Sequence, residues 1–138
     1  MRKLLILMTV SVISCTNNTK EINLSSDISK AEKLTDTLYS DIKKKDYGTI
    51  SKMLDKEIKK ENFSKVFVVK DSALGNFESY KIDKIETERN TFDKISKVVY
   101  VITAQVQYEK RNALETITFT KDSIDNIWLS GYTYKSKL

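Results

Sequence analysis

The sequence predicts one α+β domain, in which three helices precede four antiparallel strands. Residues 27–44 carry apolar side chains every three to four positions, which is typical of an amphipathic helix. Residues 97–110 carry them at every second position, which is typical of a strand with one buried face. The chain has 138 residues and no proline. Its length therefore suits a single domain, and no proline interrupts a strand.

Three helices are predicted in the first half of the chain. The first covers residues 27–44, and three residues at its start are N-cap candidates: Ser25, Ser26 and Asp27. Asp46 is predicted to cap a second, short helix that runs through Ile50, Met53 and Leu54. A third helix is predicted over residues 63–74, because Gly75 follows it as a glycine commonly follows a helix end. A strand is the alternative, because the segment contains Val66, Val68 and Val69, and valine is a poor helix former.

Four strands are predicted in the second half. They cover residues 79–87, 97–110, 114–121 and 127–134, joined by a polar connection at 88–93 and turns at 110–112 and 122–126. At about 3.3 Å per residue, a strand over 97–110 would span roughly 45 Å. A strand of that length must twist and bend, so we expect a curved meander sheet with a concave face.

Composition argues against several kinds of function. The net charge is +5, and removal of Arg2 and Lys3 with the expected leader leaves 22 basic against 19 acidic residues. This balance gives no reason to expect a nucleic-acid partner. The chain has no histidine and one cysteine, so a Ser-His-Asp triad, an internal disulfide and a cysteine-built metal site are excluded. We expect neither a cofactor nor a metal.

The first fifteen residues have the layout of an export signal. Two basic residues, Arg2 and Lys3, precede an apolar run at 4–13, which is shorter than the roughly 20 residues that span a bilayer. The run ends in Val12-Ile13-Ser14-Cys15, which resembles the bacterial lipobox. The resemblance implies that residues 1–14 are a signal peptide and that Cys15 becomes the lipidated first residue of the mature chain. An ordinary signal peptide with a chance cysteine, or a short core helix, is the alternative.

The lipobox resemblance also implies a location. The protein is expected in the cell envelope, held to the membrane by lipid such as palmitate on Cys15. Thr16 follows the cysteine where an aspartate would favour the inner membrane, so the outer membrane is expected in a Gram-negative host. Residues 15–25 are polar and unpatterned after the cysteine, and we predict a tether there, followed by the α+β domain at 26–138.

Three short stretches carry a resemblance to a known fold. They are Lys45-Asp46-Tyr47 after the first helix, Leu74-Gly75 before the first strand, and residues 128–132 (WLSGY) in the last strand. With the order of elements, they resemble the nuclear transport factor 2-like superfamily in its branch of bacterial lipoproteins, over about residues 26–134. The resemblance implies a cone, in which the curved sheet closes over the long first helix.

Aromatic residues of the strands are the candidate pocket. Tyr100 and Tyr108 lie on the apolar face of the long strand, and Trp128 is in phase with Tyr132 and Tyr134. The candidate pocket residues are Tyr100, Tyr108, Phe119, Trp128 and Tyr132. Ketosteroid isomerases of the superfamily need an aspartate base beside tyrosine and a protonated aspartate, and the apolar face of the long strand carries no carboxylate. The other interpretation is that these aromatic side chains fill the core.

These observations lead to one leading hypothesis and two alternatives. The leading one is a lipid-anchored, non-enzymatic envelope protein that binds a small apolar ligand or a protein partner. A small hydrolase or isomerase with its site inside the cone is the first alternative, and a buried carboxylate near Tyr100 or Tyr108 would favour it. A module that forms homodimers through the open face of its sheet is the second.

Overall fold

In the computed structural model, which describes residues 18–58 and 60–136, three consecutive helices are followed by four consecutive strands. A short strand, β1 (Asn18–Ile22), comes first. The helices are α1 (Ser25–Lys44), α2 (Tyr47–Lys52) and α3 (Lys60–Leu74), and the later strands are β2 (Phe77–Phe92), β3 (Ile95–Tyr108), β4 (Asn112–Lys121) and β5 (Ile127–Ser136). The predicted α+β class is confirmed. The predicted signal peptide and Cys15 lie outside the described residues.

The sheet has five strands, where four were predicted. Its order is β1-β2-β3-β4-β5, and every neighbouring pair is antiparallel. The additional strand, β1, lies within the segment predicted to be a tether. It pairs with the end of β2, from Asn18 opposite Phe92 to Ile22 opposite Glu88. All five of its residues are exposed, so it has no alternation of apolar and polar side chains by which a strand could be predicted.

β2 is longer than predicted, because residues 88–92 belong to it and do not form a separate connection. These residues, polar except for Phe92, pair with β1 on one side and with β3 on the other. The turn to β3 is only Asp93-Lys94, and both residues have positive φ, 45° and 68°. A two-residue hairpin turn of this kind matches the twist of the strands it joins.

All three predicted helices are present, but the predicted start of α1 is wrong. The N-cap residue is Leu24, whose apolar side chain makes no capping hydrogen bond. Asp27 is buried in the first turn. Asp46 caps α2 as predicted, since its carboxylate accepts a hydrogen bond from the Thr49 amide at 3.0 Å. α3 ends before Gly75, whose φ of 83° is the left-handed conformation expected after a helix end.

The core lies between the helices and one face of the sheet, called here the inner face. β3 contributes every second residue from Val98 to Tyr108, all buried. α1 packs on this face through Tyr39, whose ring stacks on Tyr80 at a centroid distance of 4.2 Å and on Phe77 at 5.4 Å. Shifts of register between Phe77 and Ser79 and between Ile82 and Lys84 interrupt the regular pairing of β2 with β3.

A bulge in β5 changes which side chains face the core. Leu129 pairs with Phe119 and Gly131 pairs with Thr118, so Ser130 is an extra residue between them. Leu129 before the bulge and Tyr132 after it both pack toward the core, whereas Trp128 pairs with Thr120 on the outer face. The prediction that Trp128 shares a face with Tyr132 and Tyr134 is therefore wrong, because a bulge reverses the alternation.

Candidate functional site

Two fully buried ionisable side chains, Lys70 and Glu115, meet inside the core where α3 crosses β3, β4 and β5. α3 directs Phe63, Phe67 and Leu74 inward, and Lys70 occupies the same face of the helix. The spacing of these positions is that of one helical stripe. Lys70 has no exposed surface, which is rare for a lysine and requires partners for its ammonium group.

The carboxylate partner of Lys70 comes from β4. Ala113, Glu115, Ile117 and Phe119 alternate on the inner face, and Glu115 has no exposed surface. Its Oε1 lies 3.6 Å from Lys70 Nζ. A fully buried ion pair is costly to desolvate, and it persists only when further hydrogen bonds satisfy both groups.

Tyrosines supply those hydrogen bonds. Tyr39 of α1 donates its hydroxyl to Glu115 Oε2 at 2.9 Å, and Tyr108 of β3 donates to Oε1. Lys70 Nζ donates to the hydroxyls of Tyr108 and Tyr132, each at 2.7 Å. Both carboxylate oxygens and the ammonium group are thus engaged by neighbouring side chains. We call these five residues (Tyr39, Lys70, Tyr108, Glu115 and Tyr132) the Lys70 cluster.

Aromatic rings surround the ammonium group. Lys70 Nζ lies 4.7 Å from the centroid of the Phe67 ring, 4.9 Å from that of Tyr108 and 5.1 Å from that of Tyr132. The negative faces of aromatic rings attract a cation, more so where water is absent. The Phe67 ring therefore adds to the stabilisation of the charge on Lys70, whereas Tyr108 and Tyr132 contribute through their hydroxyl oxygens.

Burial dominates the acid–base behaviour of the cluster. It lowers the pKa of Lys70, and the carboxylate of Glu115 opposes this shift in part. Burial also raises the pKa of Tyr39 and Tyr108 far above the ordinary tyrosine value, and the neighbouring Glu115 carboxylate adds to the rise. The tyrosines consequently stay protonated and act as hydrogen-bond donors to Glu115.

The chemistry available in the cluster is limited by access. A carboxylate beside a tyrosine hydroxyl could in principle remove a proton from a bound molecule. Here the Lys70 side chain and the tyrosine hydroxyls already occupy the positions that such a molecule would need, and neither Lys70 nor Glu115 reaches solvent. The cluster therefore acts as a polar core of the folded domain.

The five candidate pocket residues divide into three groups. Tyr108 and Tyr132 belong to the Lys70 cluster. Tyr100 and Phe119 are buried on the inner face, and Trp128 lies on the outer face, where its indole nitrogen is 3.5 Å from a carboxylate oxygen of Asp122. The structure does not bring all five together in one place.

Sequence reasoning missed Lys70, Glu115 and Tyr39. The signal for Lys70 is its spacing from Phe67 and Leu74, which puts it on the apolar stripe of α3. The signal for Glu115 is its alternation with Ile117 and Phe119. The carboxylate sought near Tyr108 was looked for on β3 itself, whereas it comes from the neighbouring strand.

Tyr100 borders a second feature, an open cleft of about 330 Å³ at the start of α1. The charged side chains that line this cleft form two ion pairs. Arg89 holds the buried Asp27 through two hydrogen bonds, one of them from Nε at 3.0 Å, and Lys121 pairs with Asp125. The hydrogen bond to Asp27 raises the pKa of Arg89. The remaining lining residues are Ser26, Lys30, Tyr100 and Ile127. We call this feature the Tyr100 cleft.

Comparison of the chain with protein-family models, with curated proteins and with solved structures gave no significant match. Within residues 18–58 and 60–136, no helix combines the length and the apolar character needed to cross a membrane. In the same ranges, no three His, Cys, Asp or Glu side chains are grouped as they would be around a metal ion.

Proposed function

We propose that the protein is a lipid-anchored component of a bacterial cell envelope, with one nuclear transport factor 2-like domain that binds and does not catalyse. An open antiparallel sheet with helices on its inner face supports the domain assignment. The resemblance of residues 12–15 to a lipobox supports the anchor. In a Gram-negative host the expected location is the outer membrane.

The observation that carries the non-enzymatic part of this proposal is the closure of the Lys70 cluster. Catalysis in a core site requires a reacting atom within hydrogen-bond distance of the base. Lys70 and Glu115 have no exposed surface, and their polar atoms are occupied by each other and by tyrosines. This arrangement favours a structural role for Glu115 and leaves binding to the surface.

The Tyr100 cleft is the proposed place for a small ligand. Ile127 offers an apolar wall, and Lys30, which lies at the exposed surface of α1, offers a cation. Tyr100 contributes to the lining, and burial raises its pKa, so it stays protonated near neutral pH. A small ligand with an apolar body and a polar end fits this lining. A protein partner is the other occupant we consider.

The enzyme alternative rests on one observation, the hydrogen bond from Tyr108 to the Glu115 carboxylate. It supplies the buried carboxylate next to tyrosine that a hydrolase or isomerase of this fold class would use. The alternative requires the core to open and admit a substrate beside Lys70. The reactivity of Lys70 with a reagent in solution therefore separates the two functions.

The dimer alternative rests on the outer face of the sheet. Register places Ile22, Glu88, Val99, Thr120 and Trp128 in one row across all five strands. Ile22 is 63% exposed and Val99 38%. A second copy could cover this row. Sedimentation that changes with protein concentration would support the dimer, whereas a constant monomer mass would exclude it.

The anchor is tested by growing an expressing bacterium with a fatty acid that carries an alkyne tag. The wild-type chain should incorporate the tag and partition into the detergent phase, and a Cys15→Ala variant should do neither. A matched Ser14→Ala variant keeps a small residue before the cysteine and should still be labelled. Equal labelling of wild type and Cys15→Ala would contradict the assignment of Cys15.

A further inference from the structure

Three exposed apolar side chains lie at one end of the sheet. Phe92 and Ile95 form the pair that flanks the Asp93-Lys94 turn, and Ile124 lies in the turn between β4 and β5. Their exposed fractions are 56%, 51% and 75%. Ser123 of the second turn joins Phe92 and Ile95 in lining a groove of about 420 Å³. The two turns are therefore neighbours. We call this surface the hairpin end, defined by Phe92, Ile95 and Ile124.

The topology places the start of β1 at the same end. Asn18 pairs with Phe92, so the first described residue lies directly beside the hairpin end. Only Thr16 and Asn17 separate it from Cys15. Three residues of extended chain reach at most about 11 Å. A lipid on Cys15 would thus lie within about that distance of Asn18, the partner of Phe92 in the hairpin end, because β1 takes up five of the eleven residues of the predicted tether.

Charge does not oppose this placement. Lysines and aspartates are evenly matched around the two turns: Lys94, Lys97 and Lys121 against Asp93, Asp122 and Asp125. The attraction to a bilayer is therefore apolar and does not depend on anionic lipid. Phenylalanine and isoleucine side chains on an exposed turn are suited to the boundary between headgroups and acyl chains, where they sink about 5–10 Å.

We propose that the hairpin end is a second membrane contact, through which Phe92, Ile95 and Ile124 insert into the lipid interface beside the anchor. The inference rests on the proposed lipidation of Cys15. This contact fixes the orientation of the domain. The turn between β2 and β3 faces the membrane, and the opposite end of the sheet points away from it. The lipid on Cys15 holds the protein on the membrane, and this surface sets how the domain is oriented there.

The test uses the full-length, membrane-processed chain in vesicles of phosphatidylethanolamine and phosphatidylglycerol. Cys15 is the only native cysteine, and its sulfur carries the lipid, so an introduced cysteine is the only free thiol. An environment-sensitive dye is attached through Ile124→Cys, or through Arg111→Cys as the control at the opposite end. Quenching by iodide in the water phase measures exposure. We expect quenching at position 124 to be about fivefold weaker than at position 111, because a side chain in the interface is shielded.

A second variant removes the contact without removing the anchor. Phe92→Ser/Ile95→Ser in the Ile124→Cys background should restore quenching to the level at position 111, while flotation with the vesicles is unchanged. Equal quenching at positions 124 and 111 in the lipidated parent would overturn the inference. So would shielding that disappears when the protein is diluted at constant lipid, because a second copy would then be the cover. Absence of lipid on the Cys15 peptide in mass spectra would overturn the proposed anchor and this inference together.

Discussion

The ammonium nitrogen of Lys70 lies 3.6 Å from a carboxylate oxygen of Glu115, and neither side chain has any exposed surface. The pair joins α3 to β4 in the middle of the core. Its charges are far from water, so each depends on the other and on the tyrosines around them. The stability of the domain should therefore depend strongly on whether both partners are present.

The first prediction concerns removal of one partner. Lys70→Met should lower the free energy of unfolding by about 3–5 kcal/mol, because it leaves the Glu115 carboxylate buried without a counter-ion. The measurement is urea unfolding followed by circular dichroism. Lys65→Met, at an exposed position of the same helix, is the control and should change stability by about 0.5 kcal/mol or less.

The pair should also be strongly coupled. Lys70→Met/Glu115→Leu should lose less stability than the two single variants added together, with a coupling energy of about 1–3 kcal/mol. The reason is that the double variant leaves no unpaired charge in the core. Additive losses in the double-mutant cycle would show that the two side chains do not act as a pair.

Alkaline pH should unfold the domain steeply. Burial raises the pKa of Tyr39 and Tyr108, so the folded state keeps protons that the unfolded chain releases above pH of about 10. The stabilisation is complete below that pH and is lost as pH rises beyond it, by about 1.4 kcal/mol per pH unit for each tyrosine. Burial lowers the pKa of Lys70, so Lys70 binds fewer protons in the folded state and opposes this loss until the pH has passed the ordinary lysine value of 10.5.

A Tyr39→Phe variant isolates one of these tyrosines. It should be less stable than wild type at pH 7, where the hydrogen bond to Glu115 is lost, but its stability should fall less steeply between pH 10 and 11.5. Urea unfolding at a series of pH values measures the slope. The same slope in both proteins would mean that Tyr39 ionises normally in the folded state.

Gly75 is predicted to tolerate no side chain. Its φ of 83° is unfavourable for alanine, and a Cβ there would lie 2.9 Å from Cβ of Glu109. Gly75→Ala should therefore cost about 1–3 kcal/mol. Gly48→Ala is the matched control, because its nearest contact would be Asp46 Oδ1 at 3.6 Å and its backbone is helical. That variant should be neutral or more stable by up to about 1 kcal/mol. Thermal unfolding of both variants measures these changes. Equal losses of stability at the two sites would refute the strain argument.

Periodicity was sufficient for the main elements of this fold. The stripe of α1 and the alternation of β3 are regular because each presents one face to the core, and both elements lie close to their predicted bounds. β1 and residues 88–92 of β2 could not be predicted in this way. They have few buried side chains, and they are held by backbone hydrogen bonds and by polar contacts such as Lys20 with Glu88 and Arg89 with Asp27.

The candidate site was less accessible to sequence reasoning. Lys70 and Glu115 each follow the apolar rhythm of their own element, but their meeting depends on how α3 crosses β4, which no local pattern specifies. Trp128 was placed on the wrong face because a single extra residue, Ser130, reverses the alternation of β5.

Access to Lys70 tests the central claim of a closed, non-catalytic core most directly. Pulse labelling of the folded protein with acetic anhydride, followed by mass spectrometry of the peptides, compares Lys70 with the exposed Lys65 of the same helix. We expect Lys70 to react at least about 100-fold more slowly than Lys65, because the reagent reaches Lys70 only when the core opens. Reaction of the two lysines within about threefold of each other would contradict the claim, because the core would then admit small molecules.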